Sequence, residues 1–482
     1  MKKLVLMGAV LLLCASVQAI DAGPNMRIYF ANFEAQAGAD CNSYRHYYSI
    51  TLDSTYAFGT IEDHGTIIDN GTGNDQGGWD QHSYKWGGSP EILVGASDPL
   101  TGYATLVAGL YTSNTNPQSI TYGTGAMTSG RVMHLLKIQT AAGSLSYTDM
   151  GARARVTTPS DTGFNSDGGQ FAMPDPVGQF LNGSDRVLSM GTGTTGQTGG
   201  ALRLKVLKDT DGDGTFMDDD ADFVNKNLAR YWSEDDMEID GNRLYGSSGY
   251  ATGFNNGPDG YFYHERNADN TYTATKAWFM QTPNTSPVIP KTVPFQGVGD
   301  LQATGGLAVG TITTEAGSFK TLWGGLGTNG DIWRLTDFNN DGDAMDNAAV
   351  AGSMEYTRIY NNATIAGTAN NFGQLTDMEL VEAPNGTDFL VVYNNGGGLE
   401  AKLFIFQLAD NGDFAGNGTA TPSQYLTVLT VPGMPAGGIQ DIEIDFGQFA
   451  PASADVPEPG TLLLLGTGVL GAVGYIRRRR MA

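Results

Sequence analysis

Two aspartate-rich stretches have the residue types and the spacing that a hard divalent cation needs. In the first, Asp209, Asp211 and Asp213 put oxygens at loop positions 1, 3 and 5. Gly214 permits the sharp turn at position 6, and Thr215 offers its carbonyl at position 7. Asp220 stands at position 12, where the longer Glu would close the shell in bidentate fashion, so Asp218 is an alternative closing ligand. In the second, Asp337, Asn339 and Asp341 take positions 1, 3 and 5, with Gly342 and Asp343 next. Ala348 occupies position 12 there, which leaves Asp346 to close the loop. The expected cofactor is Ca2+ in a structural role, neutralising clustered carboxylates and stiffening the edge of a sheet. The bland alternative is a pair of Asp/Asn/Gly turns satisfied by their own backbone. A third turn, Asp410-Asn411-Gly412-Asp413, is shortened and is expected to hold no ion.

Both longer loops resemble EF-hand-like and dockerin-like calcium loops over about a dozen residues each. The resemblance ends there, because the segments before them, Ala201 to Lys208 and Ile332 to Leu335, read as strands and not helices.

Other chemistry is sparse. The histidines are His46, His64, His82, His134 and His264, and no pair has zinc-ligand spacing. The chain has no G-x-S-x-G elbow, Walker loop or C-x-x-C pair, so no catalytic residue is assigned. Aromatic residues at Tyr44, Tyr47 and Tyr48, Trp79, Trp86, and Tyr261-Phe262-Tyr263 suit stacking on sugar rings or packing in a core, and packing is the commoner use.

The elements that must position these residues are strands. Short apolar runs such as Asp388 to Tyr393, Lys402 to Leu408 and Tyr425 to Val431 alternate with Gly, Asn, Asp and Ser clusters. Glycine, at 67 of 482 residues, is about twice its usual share of roughly 7%, while 40% hydrophobic content is enough for a core. A pattern D-[MI]-E-[IL] recurs at Asp236, Asp377 and Asp441, with Asp300 a weaker copy, in steps of 64, 77 and 64 residues. The aspartate turns recur out of phase with it. Repeats of this length predict an all-β fold, a β-propeller of about six or seven blades over residues 20–455, with a pair of β-sandwiches as the alternative. The Pro-interrupted stretch 280–300 is expected to be a long loop between strands. If the D-[MI]-E-[IL] segments are inner strands, Glu238, Glu379 and Glu443 face a central channel as acids, bases or ion ligands, or else tie one blade to the next.

The two ends read as targeting signals. Lys2 and Lys3, the apolar run Leu4 to Cys14 and the exit Val17-Gln18-Ala19 have the build of a secretory signal peptide over residues 1–19. Its removal would leave Cys41 as the only thiol and exclude an internal disulfide. At the other end, Pro457-Glu458-Pro459 precedes the apolar segment Thr461 to Ile476 and then Arg477, Arg478, Arg479 and Arg480. Sixteen helical residues span roughly 24 Å, slightly short of a ~30 Å hydrocarbon core, and the flanking arginines can snorkel. The arginine cluster places the C-terminus in the cytoplasm and the body outside. Residues 456–482 resemble the PEP-CTERM sorting signal. The resemblance implies a transient inner-membrane anchor cut near the Pro-Glu-Pro by an exosortase-type membrane enzyme. It also implies a Gram-negative-type bacterium, an exopolysaccharide or biofilm setting, and a final place at the cell surface or outside it.

The formal charge of −24 argues against a nucleic-acid partner, and it deepens in the body, because the two ends contribute six basic residues and the single acid Glu458. The reading that follows is an exported, surface-sorted, calcium-stabilised matrix or binding protein with an extracellular polysaccharide or surface protein as partner. The alternative is a secreted calcium-dependent hydrolase or lyase with its site at the channel mouth.

Overall fold

Segments of five to eight residues rich in Val, Ile, Leu and aromatics, bounded by Gly and Asn, favour strands buried on both faces. The computed structural model is all-β, with no helix among the described residues. It describes twenty-four strands and the connecting residues 59–61, 98, 100–103, 142–143, 241–242, 266–267, 273, 315–316, 337–345, 354–355 and 408–415. The signal-peptide segment, the loop beginning at Asp209, the Pro-interrupted stretch 282–300 and the sorting tail lie outside the described residues.

In chain order the strands are β1 (Met26–Ala35), β2 (Ser43–Leu52) and β3 (Glu62–Thr66), then β4 (Ile92–Ser97), β5 (Ala104–Asn114), β6 (Gly130–Ala141) and β7 (Ser144–Ala154). The next are β8 (Phe171–Ala172), β9 (Val187–Thr192), β10 (Arg203–Lys208) and β11 (Phe223–Lys226), followed by β12 (Met237–Asp240), β13 (Arg243–Ser248), β14 (Asp259–Glu265) and β15 (Lys276–Gln281). The last are β16 (Gly305–Thr314), β17 (Gly317–Leu326), β18 (Asp331–Thr336) and β19 (Tyr356–Tyr360), then β20 (Leu375–Glu382), β21 (Asp388–Asn394), β22 (Lys402–Gln407), β23 (Tyr425–Thr430) and β24 (Ile439–Phe446).

Among the described residues these strands make six four-stranded antiparallel meanders. Five are sequential, and the sixth has the order β24-β1-β2-β3, so the last strand completes the sheet that the first strand begins. The first strand of each sheet touches the first strand of the next: β24 with β4, β4 with β8, β8 with β12, β12 with β16, β16 with β20, and β20 with β24. The contacts close into a ring, which is a propeller-like arrangement, and among the described residues the sheets do not pair into sandwiches. The D-[MI]-E-[IL] segments at Asp236, Asp377 and Asp441 coincide with β12, β20 and β24, all innermost strands. The weak copy at Asp300 lies outside the described residues, just before β16.

Sheets pack through aromatic and aliphatic layers. Tyr245, Tyr261 and Trp278 meet Leu307, Leu322 and Leu335 between the fourth and fifth sheets. Trp323, Ile332 and Tyr360 meet Met378, Leu390 and Phe406 between the fifth and sixth. Tyr29 and Tyr47 meet Ile92, Leu106 and Ile138 between the first and second. Each such side chain contributes about 1.5–3 kcal/mol by leaving water, and no sheet could bury both of its faces alone. Gly324 is required where it stands, because a Cβ there would run into the Tyr261 ring, whose hydroxyl donates to the Gly325 carbonyl at 2.9 Å.

In chain order each aspartate turn follows the third strand of a sheet, β10, β18 or β22, and the latter two turns are described. The turn after β22 is not vacant. Arg334, on β18 of the preceding sheet and only 6% exposed in its side chain, donates through Nη1 to the Asn411 carbonyl at 2.8 Å and to Asp413 Oδ1 at 2.7 Å. Trp323 Nε1 adds a bond to the Gly412 carbonyl at 2.8 Å. Gly412, at φ 77°, takes the left-handed conformation that lets its carbonyl reach across.

Arg334→Met should therefore lower stability by about 2–3 kcal/mol, less than a fully buried pair because Asp413 is 29% exposed. Urea unfolding followed by the Trp signal checks this. The double variant Arg334→Met/Asp413→Ala should recover part of the loss, since the stranded carboxylate is removed with its partner.

Candidate functional site

The turn after β18 uses the same local chemistry as the turn after β22. Asp341 N donates to Asn339 Oδ1 and Asn339 Nδ2 to Asp341 Oδ2, both at 2.9 Å. Asn411 and Asp413 make the corresponding pair at 3.1 and 2.8 Å. Asn340, at φ 59°, fills the left-handed place of Gly412, a conformation that Asn tolerates. The longer loop then adds Asp337, whose two oxygens accept from Asp341 N at 3.1 Å and Gly342 N at 3.0 Å, and Asp343, which accepts from Met345 N at 2.9 Å.

The difference between the two joints is the cation. Across β17 and β18, Trp323 pairs with Arg334, and across β13 and β14, Tyr245 pairs with Tyr263. Tyr263 thus stands where the neighbouring sheet has its guanidinium. Among the described residues no ion pair reaches Asp337 or Asp341. Burial pushes the Asp337 carboxyl above its usual range, and the nearby Asp341 charge acts in the same direction against the backbone donors. A cleft of about 520 Å³ opens beside this loop, lined by Arg243, Tyr263, Glu265, Lys276, Lys320 and Asp337 among others. Its cations are committed: Lys276 pairs with Glu265 at 2.9 Å, Lys320 pairs with Asp240, and the Arg243 guanidinium lies 4.6 Å from the Tyr263 ring centre.

Of the sequence-predicted ligands, Asp337, Asn339, Asp341 and Asp343 share one turn, while Asp346 and all of Asp209 to Asp220 lie outside the described residues. Among the described residues no three carboxylate, imidazole or thiol groups converge on one point. The donor set fits a hard cation by kind and spacing. To bind one, Asp337, Asp341 and Asp343 must exchange some of their bonds to backbone amides for bonds to the ion.

The channel carboxylates resolve differently. A second cleft, of about 510 Å³, is lined by Glu238, Asp240, Val309, Thr311, Leu380 and Glu382 among others, from the innermost strands of three adjacent sheets. Glu238 Oε2 accepts from the Val309 amide at 2.6 Å, a tie from β12 to β16 of the next sheet. That is the structural role weighed for the repeated glutamate. Sequence reasoning missed two features here. One is Arg334 as a built-in cation, whose signal is an arginine inside the apolar run Asp331 to Thr336. The other is Asp388, pushed above its usual range by burial and then by the charges of Glu382 and Asp410.

The two histidines with described side chains sit inside sheets, away from the channel. His64 bonds the Ser49 hydroxyl through Nε2 at 2.8 Å and the Ala141 carbonyl through Nδ1 at 2.8 Å. The carbonyl fixes the proton on Nδ1, so Ser49 donates to Nε2 while accepting from Arg27 at 2.7 Å. Glu62 extends this network to Arg27, Tyr103 and the Gly143 amide, joining the first sheet to the second. Ser49 is fully buried, so the serine–histidine pair is a joint between sheets. His264 donates from Nδ1 to the Thr273 carbonyl at 3.2 Å and packs edge-on to Phe262. The aromatic stretch Tyr261 to Tyr263 and Tyr47 are likewise buried.

Comparison with known proteins gives one sequence match: residues 455–480 match the PEP-CTERM protein-sorting motif. No curated protein is detectably similar in sequence. Among solved structures, the chain is similar to a variant of Synechocystis apocarotenoid oxygenase at 10% identity over 83% of this chain and 72% of that one, with a TM-score of 0.35. It is similar to a β-xylosidase/α-arabinofuranosidase from a compost microbial metagenome at 12% identity over 73% and 97%, with a TM-score of 0.34. For the extracellular domains of Drosophila semaphorin 1a the figures are 10%, 77% and 84%, with a TM-score of 0.30. Scores this low carry no inference about activity.

Burial pushes the His264 imidazole down to about 4, against the bond to Thr273, whereas in an unfolded chain it titrates near 6.5. Between those values the unfolded state binds a proton that the folded state refuses. The His264 contribution is therefore present above pH ~6.5 and is lost as pH falls towards 4, to the extent of ~3 kcal/mol. Urea midpoints measured from pH 7 to 4.5 should fall, and His264→Gln should flatten the profile in that window.

Proposed function

We propose that the chain is an exported, surface-sorted, non-catalytic scaffold or binding protein whose body, residues 20–455, is a single six-bladed propeller. The match at 455–480 carries this reading, because a PEP-CTERM motif implies export, transient membrane anchoring and processing by an exosortase. Residues 1–19 act as the signal peptide. The biofilm or exopolysaccharide setting belongs to the same proposal, with a polysaccharide or another surface protein as the partner. The blade number rests on the six sheets and their closed ring of contacts. The non-catalytic reading is supported by Glu238, whose carboxylate is engaged by the Val309 amide, and by His64 and His264, which lie within the sheets.

Two experiments test it. Replacing Pro457, Glu458 and Pro459 with alanine should leave the protein membrane-bound and uncut, while neutral residues at Arg477 to Arg480 should weaken its retention and orientation. Fractionation and immunoblotting check both, and normal release of the Pro-Glu-Pro variant would refute the sorting role.

Calcium as a structural ion at the loops beginning at Asp209 and Asp337 is the second part of the proposal. It is supported by the cation that the equivalent turn after β22 receives from Arg334. Extracellular sites of this type bind at roughly 10⁻⁴ to 10⁻³ M, so millimolar calcium should stabilise by about 1 kcal/mol per site. The melting temperature should rise with calcium and fall with chelator, and Asp211→Ala/Asp341→Ala should remove the dependence. An unresponsive wild type with no bound metal by elemental analysis would reduce both loops to ordinary turns.

A further inference from the structure

We infer that, while the tail is in the membrane, the body presents its aspartate-turn end to the lipid surface and its other end outward. This rests on the reading of residues 455–480 as the anchor. Met26 pairs with Phe446, so β1 begins and β24 finishes at the same end of the first sheet. Because successive strands are antiparallel, the first-to-second and third-to-fourth connections of a sheet share one end, and the Glu62–Gly143, Lys320–Asp240 and Arg334–Asp413 contacts bring such ends together between neighbouring sheets. The described carboxylates at this end include the exposed Asp98, Glu315, Asp341 and Asp410.

The tether sets the orientation. β24 is the innermost strand of its sheet, so the chain leaves the body near the ring axis. Residues 447–460 then separate Phe446 from the apolar segment that starts at Thr461. A chain of fourteen residues has a fully extended limit of about 50 Å and, as a random coil, a root-mean-square span of about 20 Å. To lay the opposite end on the lipid, it would have to cross the width of a sheet, about 19 Å for four strands, and then run the length of β24, about 26 Å. That path is more than twice the relaxed span and close to the limit. The aspartate-turn end needs no extension at all.

The chemistry of this surface predicts how it meets lipid. Carboxylates facing anionic headgroups repel over roughly a Debye length, about 10 Å at 0.1 M salt, so the body stands off such a surface until divalent cations screen or bridge the two. On a zwitterionic surface this repulsion is absent.

The test uses the full chain with Cys14→Ser and Cys41→Ser, recovered from the membrane fraction and reconstituted into phosphatidylcholine vesicles that carry an energy acceptor at headgroup level. A donor dye is placed at Glu315→Cys, in the turn between β16 and β17, or at Ser43→Cys, at the start of β2 on the opposite end. Quenching should be several-fold stronger at position 315. Equal quenching at both positions, or stronger quenching at 43, would overturn the orientation even though the chain is membrane-bound. Failure of the chain to co-sediment with vesicles would instead refute the anchor reading, and the orientation with it. On phosphatidylglycerol vesicles at low salt the quenching at 315 should weaken and millimolar Mg2+ should restore it; indifference to both would overturn the electrostatic part.

Discussion

The pairing of β24 with β1 is the constraint on which the rest of the molecule depends. A ring of sheets has no free sheet only if the last contact is made, and here it is made by hydrogen bonds from Met26–Phe446 to Ala31–Asp441 within one sheet. Every inter-sheet core depends on that closure. Tyr29, on β1, packs against Ile92 and Leu106 of the second sheet, and β24 touches both β4 and β20. If the closing strand came away, the first sheet would lose its innermost member and both neighbours would expose apolar faces. Long-range closure of this kind is costly in chain entropy, which is recovered only when the ring is complete.

Between neighbouring sheets a second device works at one end of the ring. The turn after a third strand lies over the sheet before it, as Gly412 does over Trp323 and as Ala344 does when its amide donates to the Trp278 carbonyl at 2.8 Å. A turn rich in aspartate is a poor lid on an apolar layer unless its charge is answered. Arg334 answers it at one joint. At the joint before it, the same position is Tyr263, and the turn instead folds its carboxylates onto its own amides. Equivalent positions in a repeat architecture can thus carry different chemistry while the backbone geometry is kept, as Asn340 and Gly412 both show.

Much of this was legible in the chain, and the missing parts have physical reasons. The strand runs at Asp388 and Lys402 read correctly because their continuous apolar character has one structural use: Phe389 to Val392 and Phe404 to Phe406 are buried. The repeated D-[MI]-E-[IL] pattern marked innermost strands because the same environment recurs at each. What the sequence hid was pairing at a distance. Nothing local to Arg334 points to Asp413, and nothing local to Glu238 points to Val309, since both contacts are set by the packing of one sheet on the next. The first sheets were equally opaque, because β1 lacks a first strand of its own and borrows one from the far end of the chain.

The bond made by Glu238 and the acidic cleft around it share one cause. An innermost strand has a neighbour on only one side, so alternate amides on its free edge need acceptors that no further strand provides. A carboxylate from the adjacent sheet is the strongest neutral-pH acceptor available, and Glu238 makes a short, charge-assisted bond to Val309. The cost is a set of like charges around one axis, which is tolerable because the Glu238 cleft is open and polar and is not a dry interior. At Glu238 the repeated position therefore serves the edge of the next sheet, whose Val309 amide has no further strand to accept from it.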